Sequence, residues 1–418
     1  MFDFVPIFFQ RGFLILTGLV TLFFITQTLS PEDQGIYYTF GSLISAYNII
    51  ELGLPYLILQ VAPNYLPFKR DINSASGSVF LRSIERYVFF KSFIVFFLFL
   101  IFGSIYLHYF YLKDFSQWVW FWFLGSFAAS VAIWTNAKLA LEESIGNIKL
   151  PYNLRSLCIF VGSIFIWIAL YSKYFLIGPS IIILITFLSA LLFIPNKTKF
   201  ANLFNKSTKY INWKSKIFSL QKNVAYGMSA NYIYYFTPAL ILYPHDTVYA
   251  GKFGLSVVLA SSMVAVSASI MQSKISYLTH LFKKGDVRNS NLVFLNSYAL
   301  SNVLYIVILF IFYLFYCYFL PEYITSRLLY PKDLLILFCS FFMMNSAYML
   351  VYFFRARTTD NFSKYYFLNI LLMFLVQVVS TSSENLSIFL NVQILFMFAP
   401  FIYSVFFIIN LFKFKDIK

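Results

Sequence analysis

Apolar stretches of about 20 residues, separated by shorter polar connections, recur along the chain from Phe8 to Phe412. A helix rises about 1.5 Å per residue, and a hydrocarbon core about 30 Å thick takes roughly 20 such residues to cross. On that length the pattern predicts twelve spans, near 8–28, 36–62, 89–112, 117–137, 152–172, 174–194, 223–243, 247–271, 291–319, 334–354, 362–382 and 386–411. Between Ser156 and Ile194 the only charge is Lys173. One helix over that stretch would be about 58 Å long, nearly two bilayers. The chain is therefore expected to turn near Ser172 to Tyr174.

The long polar connection Pro195 to Lys222 carries Lys197, Lys199, Lys206, Lys209, Lys214, Lys216 and Lys222. It predicts a basic linker, 196–222, between an N-terminal six-helix lobe, 1–195, and a C-terminal six-helix lobe, 223–418. Lobes with an even number of spans share one orientation and are related by an axis along the membrane normal. A faint repeat agrees: Pro31, Asp33, Phe40 and Gly41 recur as Pro244, Asp246, Phe253 and Gly254, each time at the outer hairpin of a lobe's first two helices.

Charge gives the layout a direction. With the N-terminus inside, all but five of the 31 Lys and Arg residues fall on the cytoplasmic side, the five being Lys113, Lys173, Lys252, Arg327 and Lys332. Short cytoplasmic loops rich in Lys and Arg set topology, so a multi-pass inner-membrane protein with both termini cytoplasmic is expected. The first apolar stretch is preceded by no cationic start and followed by no small-residue cleavage site, and is expected to be retained as a span. With 60% hydrophobic and 11% charged residues, the composition excludes a soluble core, for which about 25% charged is usual. The net charge of +15 is then a property of the cytoplasmic face, suited to anionic lipid. No groove-reading motif accompanies it, which argues against nucleic acid. The 54 Phe and 32 Tyr residues fit interfacial belts and packing within lipid.

Catalytic chemistry has no foothold. Cys158, Cys317 and Cys339, like His108, His245 and His280, are scattered without metal-site spacing. No phosphate-binding G-x-x-x-x-G-K-[ST] loop is present, and nothing resembles a nucleophilic triad. No cofactor is implied.

Glu51 is the acid that stands well inside a predicted span, where a charge costs about 2.5 to 3.5 kcal/mol on the insertion scale. Pro55 lacks an amide hydrogen and cannot bond the carbonyl four residues earlier, which is that of Glu51. A carboxylate beside a freed carbonyl at a kink suits a proton, a sodium ion or a cationic side chain, which makes Glu51 a candidate for ion coupling and Pro55 a candidate hinge. A buried acid paired with a neighbour such as Arg11, locking the lobe, accounts for the same residues. Pro238 frees the Tyr234 carbonyl in the seventh span and is a second candidate hinge; Pro179 and Pro400 do the same in the sixth and twelfth. Arg11, Lys138 and Lys274 lie near predicted cytoplasmic ends, where long cations snorkel to the interface, yet they could also face a cavity. Lys252, after Gly251 at the outer end of the eighth span, is the best placed for an anion. His245 and Asp246, in the outer loop before it, could titrate together.

Two segments carry a family resemblance. The run Leu29-Ser-Pro-Glu-Asp-Gln-Gly-Ile-Tyr37 followed by Glu51-Leu-Gly-Leu54 resembles the first hairpin of the polysaccharide branch of the multidrug/oligosaccharidyl-lipid/polysaccharide (MOP) exporter superfamily. Tyr232 to Ser256, with Tyr235-Phe236, Pro238, Leu240, Ala250-Gly251 and Gly254-Leu255-Ser256, is similar to helices seven and eight of Wzx-type O-antigen or capsule repeat-unit flippases. Together they cover about an eighth of the chain. Lys252 departs from the uncharged residue usual there, and Lys274-Ile275-Ser276 departs from a Lys-aliphatic-Pro run.

The resemblance implies an all-α membrane protein of two six-helix lobes around a central cavity, similar to the MATE fold. It further implies that alternating access carries undecaprenyl-pyrophosphate-linked oligosaccharide from the cytoplasmic to the periplasmic leaflet for O-antigen or capsular polysaccharide. Membrane lipids, a polysaccharide polymerase and a chain-length regulator are the partners implied. Arg11, Lys138, Lys252 and Lys274 are then candidate substrate cations, Glu51 and Asp246 candidate coupling acids, and Asn48, Asn136, Asn231 and Tyr234 compatible lining groups. A drug or metabolite exporter of the multidrug branch is the alternative, although the first helix has only Arg11 as a charge. An integral-membrane O-antigen polymerase would need a larger outer loop than the fourteen residues from Leu320 to Asp333.

Overall fold

In a computed structural model of the chain, the described residues are 4–62, 75–110, 115–145, 147, 149–194, 213–357, 362–381 and 387–413. Each expected apolar stretch coils into helix. The first is α1 (Phe4–Thr28). The second is split into α2 (Pro31–Ser45), α3 (Tyr47–Glu51) and α4 (Leu54–Val61). The third runs through α5 (Ala75–Leu98), a π-helical turn (Phe99–Gly103) and α6 (Ser104–Phe110). α7 (Phe115–Ser144), α8 (Lys149–Tyr171) and α9 (Gly178–Phe193) follow. Then come α10 (Trp213–Leu242), α11 (Thr247–Lys283), α12 (Val287–Tyr318), the short α13 (Glu322–Thr325), α14 (Pro331–Ala356), α15 (Phe362–Ser380) and α16 (Ser387–Lys413). Ten helices among the described residues are long and apolar enough to cross a membrane.

The chain turns at Lys173, which takes φ 64°, where the excess length of the 156–194 stretch requires it. Three boundaries differ from the sequence reading by many residues. α10 begins at Trp213, so the last part of the basic connection is helical, α5 begins at Ala75 rather than near 89, and α11 runs on to Lys283 rather than ending near 271. The physical reason is the same in all three: a helix continues past the bilayer when nothing breaks it, and neither Pro nor Gly occurs between Gly77 and Gly103, between Pro195 and Gly227 or between Gly254 and Gly285. Proline also behaves less uniformly than its missing amide suggests. α10 and α16 run continuously through Pro238 and Pro400. Pro179 opens α9 in its first turn, where an amide would have no helical acceptor. The repeat at offset 213 also shifts register: Pro31 opens α2, whereas Pro244 precedes α11 and Asp246 is that helix's N-cap.

By packing, the chain divides into two units, Met1–Tyr232 and Ile233–Lys418, with the division inside α10. In the first, α7 is the central helix, set against α4, α5 and α9, while α8 packs on α1 and α9. In the second, α14 is central, against α11, α12 and α16. α12 shows how such a helix meets lipid: Leu300, Val303, Val307, Phe310, Ile311 and Leu314 are exposed, whereas Ser297, Ser301, Asn302 and Tyr305 are buried. Small polar residues inside and apolar residues outside are what hydrocarbon solvent favours. Those buried groups form a seam. Ser301 donates to the Ser267 carbonyl, Ser267 Oγ and Asn345 Oδ1 lie 3.3 Å apart, and Asn345 and Ser346 both donate to Asn302 Oδ1. Interhelical bonds of this kind contribute about 0.6 kcal/mol each on average, enough in series to fix the register of α11, α12 and α14.

Candidate functional site

Charged side chains of the first unit converge where α3 meets α5 and α7, around the break in the second span. α3 ends at Glu51, Leu52 and Gly53 both adopt left-handed backbone (φ 55° and 66°), and α4 restarts at Leu54 with Pro55 in its first turn. Gly53 is fitted to its place twice over. A side chain there would be strained by the positive φ, and a Cβ would stand 2.2 Å from Val224 Cγ1 of α10.

Glu51 is 2% exposed. Its carboxylate Oε1 accepts from Asn136 Nδ2 of α7 at 3.2 Å. Its main-chain carbonyl, which Pro55 cannot bond, accepts from Lys91 Nζ of α5 at 2.9 Å. Of the occupants the sequence allows for that carbonyl, the structure holds a cationic side chain, and it is Lys91. Lys91 also lies 5.5 Å from the centre of the Tyr87 ring, a distance at which an aromatic face attracts a cation. Tyr47, one turn before Glu51, is beside Asn136 and Asn48, and Asn48 donates to the Ser45 carbonyl. Arg155 of α8 adds a second positive field at Glu51. Its guanidinium is 3.9 Å from Glu143 and rests over Tyr152, whose hydroxyl donates to Glu143.

Lys138, two residues beyond Asn136, does not extend into solvent. It is buried, paired with Glu85 of α5 and set 5.5 Å from the Trp134 ring centre. Snorkelling is therefore the wrong expectation for this lysine, because α5 carries an acid to the same depth. Glu51 is accordingly not the one acid inside a span: Glu85 and Glu142 are buried as well.

The remaining candidates are dispersed. Arg11 is on α1, but its side chain lies outside the described residues. Asp246 Oδ1 accepts from the amides of Val248 and Tyr249 as the N-cap of α11, next to an exposed His245. Lys252 is half-buried, 5.2 Å from the Tyr330 ring centre. Lys274 is exposed, 22 residues further along the same helix, which is about 33 Å at the helical rise. Pro238 is buried inside α10, and Tyr234, one turn earlier, donates to Ser340 Oγ at 2.8 Å. Of the named candidates the structure brings Glu51, Pro55 and Asn136 together, and it adds Lys91 and Arg155 to them. Glu85 was missed because it read as a residue of a cytoplasmic loop, and Lys91 because it read as a cation at the cytoplasmic end of the third span. The signal available was the unbroken run from Gly77 to Gly103, too long for one bilayer crossing. Among the described residues no group of three His, Cys, Asp or Glu side chains is placed to hold a metal ion.

No protein-family model matches the sequence, and no curated protein matches it. Solved structures do match in fold. A multidrug-resistance MATE family transporter of the MOP superfamily, in an inward-facing conformation, superposes with a TM-score of 0.66 at 10% identity, over 98% of this chain and 99% of that one. The lipid II flippase MurJ, in an inward closed conformation, gives 0.64 at 11% identity, over 100% and 93%. A mutant form of the Vibrio cholerae MATE transporter VcmN gives 0.62 at 12% identity, over 96% and 94%. The architecture is the all-helical membrane fold that these proteins share.

Proposed function

We propose that this protein is a flippase that moves undecaprenyl-pyrophosphate-linked oligosaccharide repeat units from the cytoplasmic to the periplasmic leaflet, by alternating access and without covalent chemistry. A fold shared with both multidrug exporters and a lipid II flippase leaves the substrate open. The observation that carries the choice is the Lys91 ammonium beside Glu51, held on a main-chain carbonyl. Lys91 and Arg155 both act on Glu51, its carboxylate bonds a neutral amide, and Lys91 donates to a neutral carbonyl rather than to a carboxylate. A half-buried ammonium held on a neutral acceptor keeps its attraction for an anionic diphosphate headgroup, whose passage through hydrocarbon is otherwise prohibitive. An exporter of cationic drugs would gain from the opposite sign.

In this reading the lobes 1–195 and 223–418 are the two halves of the transporter, the basic linker 196–222 and both termini are cytoplasmic, and the membrane is the bacterial inner membrane. A polysaccharide polymerase and a chain-length regulator take up the product, which becomes O-antigen or capsule. Lys252, over Tyr330 at the N-terminal end of α11, would meet the diphosphate as it leaves. Arg11 and Lys274 would act nearer the cytoplasmic side, and Asp246 is second to Glu51 as a coupling acid.

The test is depletion of the protein in its host, followed by mass spectrometry of lipid-linked oligosaccharides with leaflet-selective labelling. Single repeat units should accumulate on the cytoplasmic face, and complementation by Glu51→Gln should fail to clear them at wild-type expression. Units stranded outside would identify a polymerase instead. No accumulation at all would favour the drug-exporter alternative.

A further inference from the structure

The break in the second span combines two features that a membrane interior penalises. Pro55 offers no amide to the Glu51 carbonyl, and Lys91 is a cation within α5, inside the span Ser83–Phe110. Each meets the other's need, since the ammonium donates to that carbonyl at 2.9 Å. The carboxylate of the same residue turns to α7 and takes Asn136. Glu51 thereby ties α3 to two helices by two different groups, its main chain to α5 and its side chain to α7. Between Glu51 and Leu54 the backbone is left-handed at Leu52, a residue with no glycine freedom. A branched side chain holds that conformation only where surrounding contacts impose it, and Lys91 is the contact that reaches the carbonyl immediately before it.

We infer that Lys91 is the clasp of this hinge: by occupying the Glu51 carbonyl it holds the second span in its broken form, and its withdrawal frees residues 52–55 to rearrange and shifts the Glu51 carboxylate relative to Asn136. Lys91 acts in this way whatever the substrate, and it works through the main-chain oxygen rather than as counter-ion to the carboxylate.

Two double-mutant cycles on the purified full-length protein separate those roles, read by thermal midpoint and by hydrogen exchange in the segment 47–61. Lys91→Met should quicken exchange in that segment about tenfold, the equivalent of roughly 1.4 kcal/mol and the scale of one hydrogen bond to a charged group, while leaving α11 and α12 protected. In a Pro55→Ala background an amide becomes available to the carbonyl, and the effect of Lys91→Met should fall by more than half. In a Glu51→Gln background the carbonyl is unchanged, and the effect should persist. If Lys91→Met does not yield folded protein, Lys91→Gln, which keeps a shorter donor, runs the same cycles. An effect cancelled by Glu51→Gln but indifferent to Pro55→Ala would make Lys91 a counter-ion and overturn the clasp. So would the absence of any change local to 47–61.

Discussion

Lys138→Met should leave little folded protein. Lys138 and Glu85 form an ion pair whose side chains are each only 10% exposed, and the Trp134 ring flanks the ammonium. Deleting the cation leaves the Glu85 carboxylate in the same buried place without it. Removing one partner of such a pair costs roughly 3 to 5 kcal/mol, because the surviving charge has lost its water as well as its partner. That is a large share of the roughly 5 to 15 kcal/mol by which folded proteins are stable. Replacing both partners at once is far milder, since an apolar pair of similar volume is often neutral. The expected order of thermal midpoints is therefore wild type, then Glu85→Leu with Lys138→Met, then Lys138→Met alone. Measuring the three in detergent, at matched expression, checks it. A single mutant as stable as the double would mean that the pair contributes nothing, and that Lys138 is available to a substrate.

The same pair shows where sequence reading stops. The spans were legible because a bilayer imposes one length on every crossing, and because a lone Lys173 in a stretch too long for one helix has to mark a turn. The break at Glu51 was legible because proline's missing amide is a property of the residue itself, independent of what surrounds it. The partners were not. Lys91 and Glu85 sit on a helix that extends well beyond its apolar core, and a charge near a span end reads the same whether the helix ends or continues. That Asn136 faces Glu51 while Lys138 faces Glu85 is decided by how α7 packs between α4 and α5, which no local pattern encodes. Proline failed as a guide in the opposite direction: Pro238 and Pro400 carry the same chemical deficit as Pro55, yet α10 and α16 continue through them. A missing hydrogen bond becomes a break only where neighbouring groups make the broken form worthwhile, as the two left-handed residues and Lys91 do at Glu51.

The π-helical turn Phe99–Gly103 was likewise invisible in sequence, and substitution of Gly103 is the second change expected to have a severe effect. Gly103 has Trp122 of α7 packed against its Cα. A Cβ at this position would lie 1.8 Å from Trp122 Cζ2 and under 3 Å from two further ring atoms. The indole has nowhere to go. It is 1% exposed, it is stacked on Phe99 at 6.3 Å and meets Phe40 edge-on at 5.4 Å, and its Nε1 donates to the Phe99 carbonyl at 3.1 Å. That last bond supplies a donor to the carbonyl at the start of the π turn, the kind of helix irregularity that persists where the structure gives it a purpose. Gly103→Ala must therefore displace either α7 or the turn. Overpacking a rigid core typically costs about 1 to 3 kcal/mol and occasionally more, and an overlap this deep belongs at the upper end. The compensating change is Trp122→Phe, which removes the ring atoms that clash while giving up the bond to Phe99. Alone it should destabilise, through the lost packing and the unmet carbonyl. Combined with Gly103→Ala it should be more stable than Gly103→Ala by itself, a reversal of sign that only direct contact produces. Thermal midpoints of the two single mutants and the double mutant measure it, and simple additivity would show that the turn and the indole do not meet as described.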